Sequence, residues 1–397
     1  MAVLAQQIED LKYEMGEEAS HQARIKVVGI GGGGSNAVAH MMSAGLEGVE
    51  FHVIDTDAQA LAASPVPNKL VIGSKKTCGW GAGGDPAVGR QAALDDTERV
   101  LEILHDADMA FVTAGLGGGV GTGATPVIAS LAKQLNAVTV AVVTKPFGLE
   151  GSGPMRQAEK GLGELAAIVD TVIAVPNDRL LALAPPGASV LEAFRLGYDL
   201  LRQTVENIVE LNTVPGLINR DFSNLRAIIK GSGCARMGTA VAKGEKAVLE
   251  AARQAINCPL LEETGIKGAR HVLINITASH RLGLHEFAEA CGLIRQAAEC
   301  DDVRISFGIV LKESMAEAVK VTVVAAGLPR REAAPGDGQK PLIREAVVRP
   351  PELPLEPAPA QEPPPVAAAA PLPPLEPPEA LEELDIPAYQ RQGKLLQ

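Results

Sequence analysis

Between Ala114 and Pro126 the chain reads Ala-Gly-Leu-Gly-Gly-Gly-Val-Gly-Thr-Gly-Ala-Thr-Pro, with six glycines in the nine residues from Gly115 to Gly123. Glycine at this density frees the backbone to take positive φ and to press N–H groups onto a ligand without Cβ interference. An apolar, strand-like run, Ala110–Thr113, precedes the stretch, and a helix-like run, Pro126–Leu135, follows it. A helix entered from such a loop points its first amides and the positive end of its dipole at the loop's contents. The chemistry implied is phosphate binding; the competing reading is a tightly packed glycine turn.

Two further stretches could do similar work. Ile25–Ile30 is a short β-branched strand running into Gly31-Gly32-Gly33-Gly34-Ser35-Asn36 and a helix-like segment, Ala37–Ala44. A second strand, Val49–Ile54, ends at Asp55-Thr56-Asp57. Gly29, Gly31 and Gly34 therefore form a G-x-G-x-x-G with an acid at the tip of the next strand, the dinucleotide fingerprint in its expected setting. A nicotinamide-dependent oxidoreductase is accordingly an open alternative at this point. A third loop, Gly79-Trp80-Gly81-Ala82-Gly83-Gly84-Asp85-Pro86, carries the only tryptophan and reads either as part of the same site or as a capped surface turn.

The elements that must position these loops follow from the pattern. Strand-like runs at Ala137–Thr144 and Thr171–Val175, alternating with helices at Ala87–Leu104 and Met155–Leu165, imply a parallel sheet whose carboxyl-end loops converge. Val190–Leu211 is a long amphipathic helix stopped by Pro215-Gly216, and at about 22 residues it spans roughly 33 Å, enough to link two domains. Beyond it the pattern predicts a helix over Thr239–Ile256, strands at His271–Thr277, Arg304–Leu311 and Val319–Ala326, and a helix at Leu284–Glu299. This second domain has no phosphate loop.

Fifteen of the 28 prolines fall between residues 331 and 380. Such a segment cannot bury a core and is expected to be an extended linker, with a reach on the order of 150 Å in polyproline form. Apolar residues return at Leu381-Glu382-Glu383-Leu384-Asp385-Ile386-Pro387-Ala388-Tyr389-Gln390-Arg391, the composition of a docking peptide on an arm; a frayed end is the alternative.

The whole chain of 397 residues is 46% hydrophobic with a formal charge of −12. That charge argues against nucleic acid as a partner, because neutralising phosphates needs clustered lysine and arginine. Five cysteines and seven histidines show no metal-ligand spacing, so no protein metal centre is expected and the thiols suit a reducing compartment. With no signal-like segment and no run of 18 apolar residues, the expectation is a cytoplasmic protein without direct membrane insertion.

The stretches Ile25–His40, Asp55–Leu61, Gly81–Arg90, Gly115–Ala129, Thr144–Gly151, Pro176–Leu181, Gly216–Arg226 and Leu384–Arg391 together resemble FtsZ, the family of bacterial tubulin-like division GTPases. The resemblance demotes the nicotinamide alternative, because Rossmann dehydrogenases lack the second glycine loop. It implies an α/β, tubulin/FtsZ-like two-domain fold: an N-terminal extension over 1–24, a parallel-sheet GTP-binding domain over 25–188, a long central helix over 189–213, and a smaller α+β polymerisation domain over 214–328. A proline-rich linker, 329–380, and a docking peptide, 381–397, complete it. The implied cofactors are GTP/GDP and Mg²⁺. Gly32, Gly33 and Asn36 would lie near the α-phosphate, Ala82 and Gly83 near the γ-phosphate, and Gly118, Gly119, Gly121, Thr122 and Gly123 around the β- and γ-phosphates. Glu150 would bind the ribose, with Asn177 and Phe194 around ribose and base and Tyr198 at the base. Asn219, Asp221 and Asn224, on the loop 216–226, would complete the catalytic site of the next subunit in a head-to-tail filament of the cytokinetic ring. The tail would dock onto a membrane tether such as the actin-like FtsA, and a second FtsZ is a further partner.

Four positions depart from the family pattern. Val120 stands where a threonine is usual, Pro154 where an arginine reaches the nucleotide, Tyr198 where an asparagine reads the guanine edge, and Asn224 where a second aspartate serves catalysis. Milder changes are Asp55 and Asp85 in place of asparagine. The expectation is a GTPase that binds nucleotide but hydrolyses it slowly, or a degenerate copy that co-polymerises with a competent one.

Overall fold

The computed structural model describes residues 23–183, 187, 189–213, 222–258, 261, 265–279, 283–300 and 302–328. The chain divides into a compact unit over residues 1–333 and a second over 334–397, and the second lies outside the described residues.

The first half is built on β1 (Ile25–Ile30), α1 (Gly31–Ser43), β2 (Glu50–Asp55), α2 (Ala58–Ala63), β3 (Asn68–Val71), α3 (Ser74–Thr77), α4 (Pro86–Asp95), α5 (Thr97–Leu104), β4 (Met109–Gly115), α6 (Gly119–Gln134), β5 (Val138–Lys145), α7 (Ser152–Ile168), β6 (Thr171–Pro176) and α8 (Asn177–Leu183). The long helix α9 (Val190–Thr213) and α10 (Phe222–Ile229) lead to β7 (Gly233–Lys243), α11 (Ala247–Ile256), β8 (His271–Ala278), α12 (Leu284–Ala298), β9 (Arg304–Leu311) and β10 (Ala318–Ala326).

Among the described residues, all ten strands lie in one sheet of order β3-β2-β1-β4-β5-β6-β7-β10-β8-β9. The run from β3 to β7 is parallel, β10 is antiparallel to both neighbours, and β8 pairs with β9 in parallel. The two halves meet through a short ladder, Thr171 with Gly233, Val172 with Cys234 and Ile173 with Ala235. Parallel strands covered on both faces read as unbroken apolar runs, and β1, Ile-Lys-Val-Val-Gly-Ile, is buried along its whole length. Its one charge, Lys26, donates to the carbonyls of Ile103 and His105 at 2.8 Å each.

One face of the first-half sheet packs with α1 and α9, gathering Val27, Phe111, Val140 and Ile173 with Leu201, Val205 and Ile208. The same cluster takes in Met237, Leu273 and Val324 from the second half, so α9 is the shared core of both. The opposite face packs Val28, Val112 and Val143 under Ala92, Val100, Ile128 and Leu165. A third cluster joins α11 and α12 to β8 and β10 through Val248, Ala252, Ile274, Ile294 and Val323.

Several readings of the sequence are corrected: the single helix expected over Ala87–Leu104 is two, α4 and α5, parted at Asp96, and the helix expected from Ala37 begins at Gly31. The helix expected over Thr239–Ile256 begins at Ala247, and Thr239 instead sits in β7, where its hydroxyl is 3.1 Å from that of Thr322 on β10. Helix-favouring alanines there are overridden by sheet pairing with β10. β3 went unpredicted because its four residues offer too short a pattern. Helix α6 begins at Gly119 rather than Pro126, so Pro126 lies inside it; its glycines Gly119, Gly121 and Gly123 stand where a Cβ would collide with neighbouring residues.

Candidate functional site

Among the described helices that follow a parallel strand, α1, α6 and α7 begin without a side-chain cap or an acid in the first turn, and the ends of α1 and α6 lie together. Helix α1 starts directly at the end of β1 and α6 starts at Gly119 with Gly118 as its N-cap; neither has a side-chain hydrogen bond at its N-cap or an acid in its first turn. The first amides of such helices have no intrahelical partners. The neighbouring helices differ: Asp57 caps α2 by accepting from Gln59 and Ala60 at 2.9 Å, and Asp85 caps α4 by accepting from Ala87 at 2.8 Å. The ends of α1 and α6 are adjacent, since a Cβ built on Gly31 would lie 2.9 Å from the Gly121 nitrogen. Around them Gly32, Gly83, Gly84 and Gly118 face open space, with nothing within 4 Å of an added Cβ. The result is a glycine-lined hollow with two positive helix ends aimed into it, an anion site on electrostatic grounds.

The remaining glycines of the stretch serve packing. A Cβ on Gly121 would collide with the Gly115 carbonyl, one on Gly123 with the Pro86 carbonyl, and one on Gly119 with Ala82 and Asp85. Gly117 alone among 115–123 needs positive φ, at +107°. Its amide donates to the Thr122 hydroxyl at 2.8 Å, and Thr122 is buried. Gly118 and Gly119 thus present backbone to the hollow, while the Thr122 oxygen is engaged in holding the turn.

A cleft of about 140 Å³ continues from the hollow, lined by Gly33, Gly115, Thr144, Glu150, Asn177, Phe194 and Tyr198 among others. Glu150 is fixed by accepting the Phe147 amide at 2.8 Å. Phe194 stands edge-on to Phe147, with ring centroids 5.4 Å apart, and 38% of it is exposed as a stacking face. Asn177 is buried at the start of α8. One turn along α9, the Tyr198 oxygen lies 3.5 Å from Asn36 Nδ2 of α1, and His40 Nε2 is 2.8 Å from Asp199 Oδ1. A phosphate hollow opening onto an aromatic cleft with a carboxylate and amides suits a nucleoside polyphosphate. Of the residues expected at the site, Gly33, Glu150, Asn177, Phe194 and Tyr198 line the cleft and Asn36 stands beside Tyr198; Gly32, Gly83 and Gly118 face open space, Gly119 packs against Ala82, and Gly121, Thr122 and Gly123 serve packing and the turn. Gly115, Leu116, Thr144, Pro146, Leu180 and Gly197 also line the cleft and were missed; the ends of β4 and β5 were the available signal for the first four.

A family model for the GTPase domain of the Tubulin/FtsZ family matches residues 24–185, and one for the C-terminal domain of the FtsZ family matches residues 233–329. The cell division protein FtsZ of Buchnera aphidicola subsp. Baizongia pistaciae is 45% identical over 311 residues, 78% of this chain and 80% of the relative.

The chain belongs to the FtsZ family.

A solved empty FtsZ dimer from M. jannaschii superposes with TM-score 0.73 at 34% identity, over 86% of this chain and all of that one. CetZ2 of Haloferax volcanii, solved as a GTPγS-bound protofilament, shares the fold with TM-score 0.68 at 22% identity, over 77% of this chain and 94% of that one. FtsZ membership makes this a tubulin-like GTPase-family chain, and the dinucleotide alternative falls with it. In that alternative Asp55 would meet a ribose; instead it is buried and accepts from the amides of Thr56 and Asp57 at 2.7 and 3.4 Å.

The departures from the FtsZ pattern have local accommodations. Val120 is 7% exposed and joins the apolar cluster with Ala82 and Val112. Pro154 lies in the first turn of α7, where a missing N–H costs little, and packs against Gly117. Asp85 is engaged as a helix cap. Asn219 and Asp221 lie outside the described residues; Asn224 falls on α10, its side chain undescribed. The linker and the tail peptide also lie outside.

Among the described residues no group of three or more His, Cys, Asp or Glu could hold a metal ion, and no helix is long and apolar enough to cross a membrane.

Proposed function

We propose that the protein binds GTP with its phosphates in the glycine hollow and its nucleoside in the cleft beside Phe194, and that it assembles head to tail into the filaments of the cytokinetic ring. The observation that carries this reading is the pair of uncapped, acid-free helix ends meeting at Gly31 and Gly121. Residues 25–188 form the GTP-binding domain, α9 the central helix and 214–328 the polymerisation domain. Backbone amides of Gly118 and Gly119 offset phosphate charge, Glu150 and Asn177 hold the ribose, and Tyr198 faces the base.

Hydrolysis needs a second subunit. Asn219, Asp221 and Asn224 enter the neighbour's site and orient the attacking water, as a polar side chain does in other GTPases. Asn224 cannot accept a proton, so turnover is slow. Asp55, Asp57 and Asp85 are bound to backbone amides, so Mg²⁺ belongs with the phosphates and water rather than in a protein cage, the usual arrangement for this ion; when bound it offsets charge on the γ-phosphate. The protein acts in the cytoplasm at the division site, and the 381–397 peptide docks onto a membrane tether such as FtsA. Deleting that peptide is expected to abolish tether binding while filaments still form.

Purified full-length protein should bind GTP and sediment as polymer with GTP and Mg²⁺; failure of both would sink the reading. Val120, Pro154, Tyr198 and Asn224 together also favour a second one, a structural copy that co-assembles with a motif-complete FtsZ. Co-sedimentation with such a partner, without turnover by this chain alone, separates the two.

A further inference from the structure

Three carboxyl groups stand on the loops beside the phosphate hollow. Asp57 and Asp85 are occupied as helix caps; Asp55 caps nothing. In the parallel pairing of β1 and β2, Ile30 lies beside Ile54, so the two strands end together, with Gly31 next along one and Asp55 along the other. Neighbouring strands are about 4.8 Å apart, which sets Asp55 beside the point where the α1 and α6 ends meet at Gly31 and Gly121. The Thr56 carbonyl accepts the Gly81 amide at 3.3 Å, tying the tip of β2 to the loop whose Gly83 and Gly84 face open space. Asp55 is buried, and one of its oxygens accepts the amides of Thr56 and Asp57. That turn needs no charge, since an asparagine oxygen accepts amides equally well. The surroundings supply no neutralising partner. The first turns of α1 and α6 hold no acid, and residues 79–84 hold no charge. Asp96 accepts the Gly73 amide at 2.6 Å, Lys76 of α3 stands 4.0 Å from Asp95, and Lys75 and the Cys78 thiol are exposed. Burial holds the Asp55 carboxyl above its ordinary value, with the two amides opposing this and the Asp57 charge adding to it.

We propose that nucleotide binding at this site is coupled to a proton on Asp55: phosphates in the hollow repel the carboxylate, so the nucleotide is held tightly while Asp55 is neutral and more loosely once it is ionised. This rests on the nucleotide reading above. Like charges beside a buried group are weakly screened, so the repulsion acts without direct contact. Binding takes up a proton wherever the free carboxyl is ionised and the bound one is not. By reciprocity, affinity falls as pH rises through that interval. Below the interval Asp55 is neutral in both states and above it ionised in both, and its contribution is level. An asparagine at 55 keeps the turn and has no proton to exchange, so its affinity does not share the fall.

The test is titration of the full-length protein with GDP from about pH 5 to about pH 8, with Mg²⁺ chelated so that no metal offsets the charge. GDP's own terminal phosphate titrates in this range, and Asp55→Asn, measured alongside, subtracts it. Wild-type affinity should fall across the range by about tenfold more than that of the variant, the effect of about one pH unit between the free and bound values of the carboxyl. Calorimetry in two buffers of different ionisation enthalpy counts the protons directly. Wild-type protein should take up more than the variant on binding GDP, and more than the phosphate alone accounts for, a readout that holds even if the variant folds poorly. Parallel pH profiles for the two proteins, or equal proton uptake, would overturn the proposal while leaving GDP binding intact. GDP that binds at no pH, with or without Mg²⁺, overturns the underlying nucleotide reading instead.

Discussion

The Thr122 hydroxyl, inside the first turns of α6, accepts the Gly117 amide at 2.8 Å and so closes the turn from which the phosphate-facing amides project. Gly117 is held at φ +107°, a conformation that benefits from an anchor. Thr122→Val keeps the shape but leaves the part-buried Gly117 N–H without its acceptor, a cost of about 1–3 kcal/mol. Thr122→Ser keeps the acceptor and should lose much less. Urea unfolding midpoints for the pair provide the check, and GDP affinity should fall with Thr122→Val as the turn loosens. An unchanged midpoint for the valine variant would show that this hydrogen bond does not hold the turn.

Gly118 and Gly121 look equivalent in the sequence and should behave oppositely. A Cβ on Gly118 meets nothing within 4 Å, so Gly118→Ala is expected to leave stability within about 0.5 kcal/mol while its methyl enters the phosphate hollow and reduces GDP affinity about tenfold or more. A Cβ on Gly121 meets the Gly115 carbonyl, backbone that cannot swing aside. Gly121→Ala should therefore destabilise by about 1–3 kcal/mol, despite a helix-propensity gain of up to about 1 kcal/mol. Thermal melts and GDP titrations on both variants separate the roles; equal effects on stability would refute them.

Asp55 gives a pH prediction. Its burial at the tip of β2 raises the carboxyl above its ordinary value, and hydrogen bonds from Thr56 and Asp57 oppose this only in part. A raised value means that the native state holds the proton more tightly than the unfolded chain. Between the unfolded and folded values stability therefore falls as pH rises, and above both the desolvation penalty acts in full. Asp55→Asn keeps an acceptor for both amides and removes the charge. It should raise the melting temperature at neutral pH, with the advantage shrinking as pH falls through the carboxylate range. A gap independent of pH would contradict the account.

Much of this site was legible from residue type and order. The strand, glycine and helix succession at Ile25–Asn36 and Ala110–Pro126 places two loops on one sheet edge, because parallel strands put all their carboxyl ends on the same side. The functions of individual glycines were not legible: that Gly121 and Gly123 press on carbonyls of Gly115 and Pro86 depends on neighbours remote in sequence. Asp85 as a cap for α4 was readable in hindsight, since Asp-Pro is a helix-start signal. β7 was obscured because an alanine-rich run suits a helix until β10 pairs with it. Val120 reads as a lost hydroxyl in sequence, yet in the fold it joins the apolar cluster beneath α6.

The last prediction concerns Asn224, in the Gly216–Arg226 segment that the proposal places in a neighbour's catalytic site. An amide can orient water but cannot take its proton, and positioned general bases contribute about 10²–10⁴-fold. Asp221 remains in the same segment, so the gain from restoring a carboxylate should fall at the low end. Asn224→Asp is expected to raise phosphate release per polymerised subunit by about a hundredfold, with GDP affinity unchanged, because the residue acts on the next subunit's nucleotide rather than its own. Phosphate release measured against pelleted polymer, with a parallel GDP titration, makes the comparison. An unchanged rate would remove the account of slow turnover at this position, and altered GDP affinity in dilute monomer would argue that Asn224 acts within its own subunit.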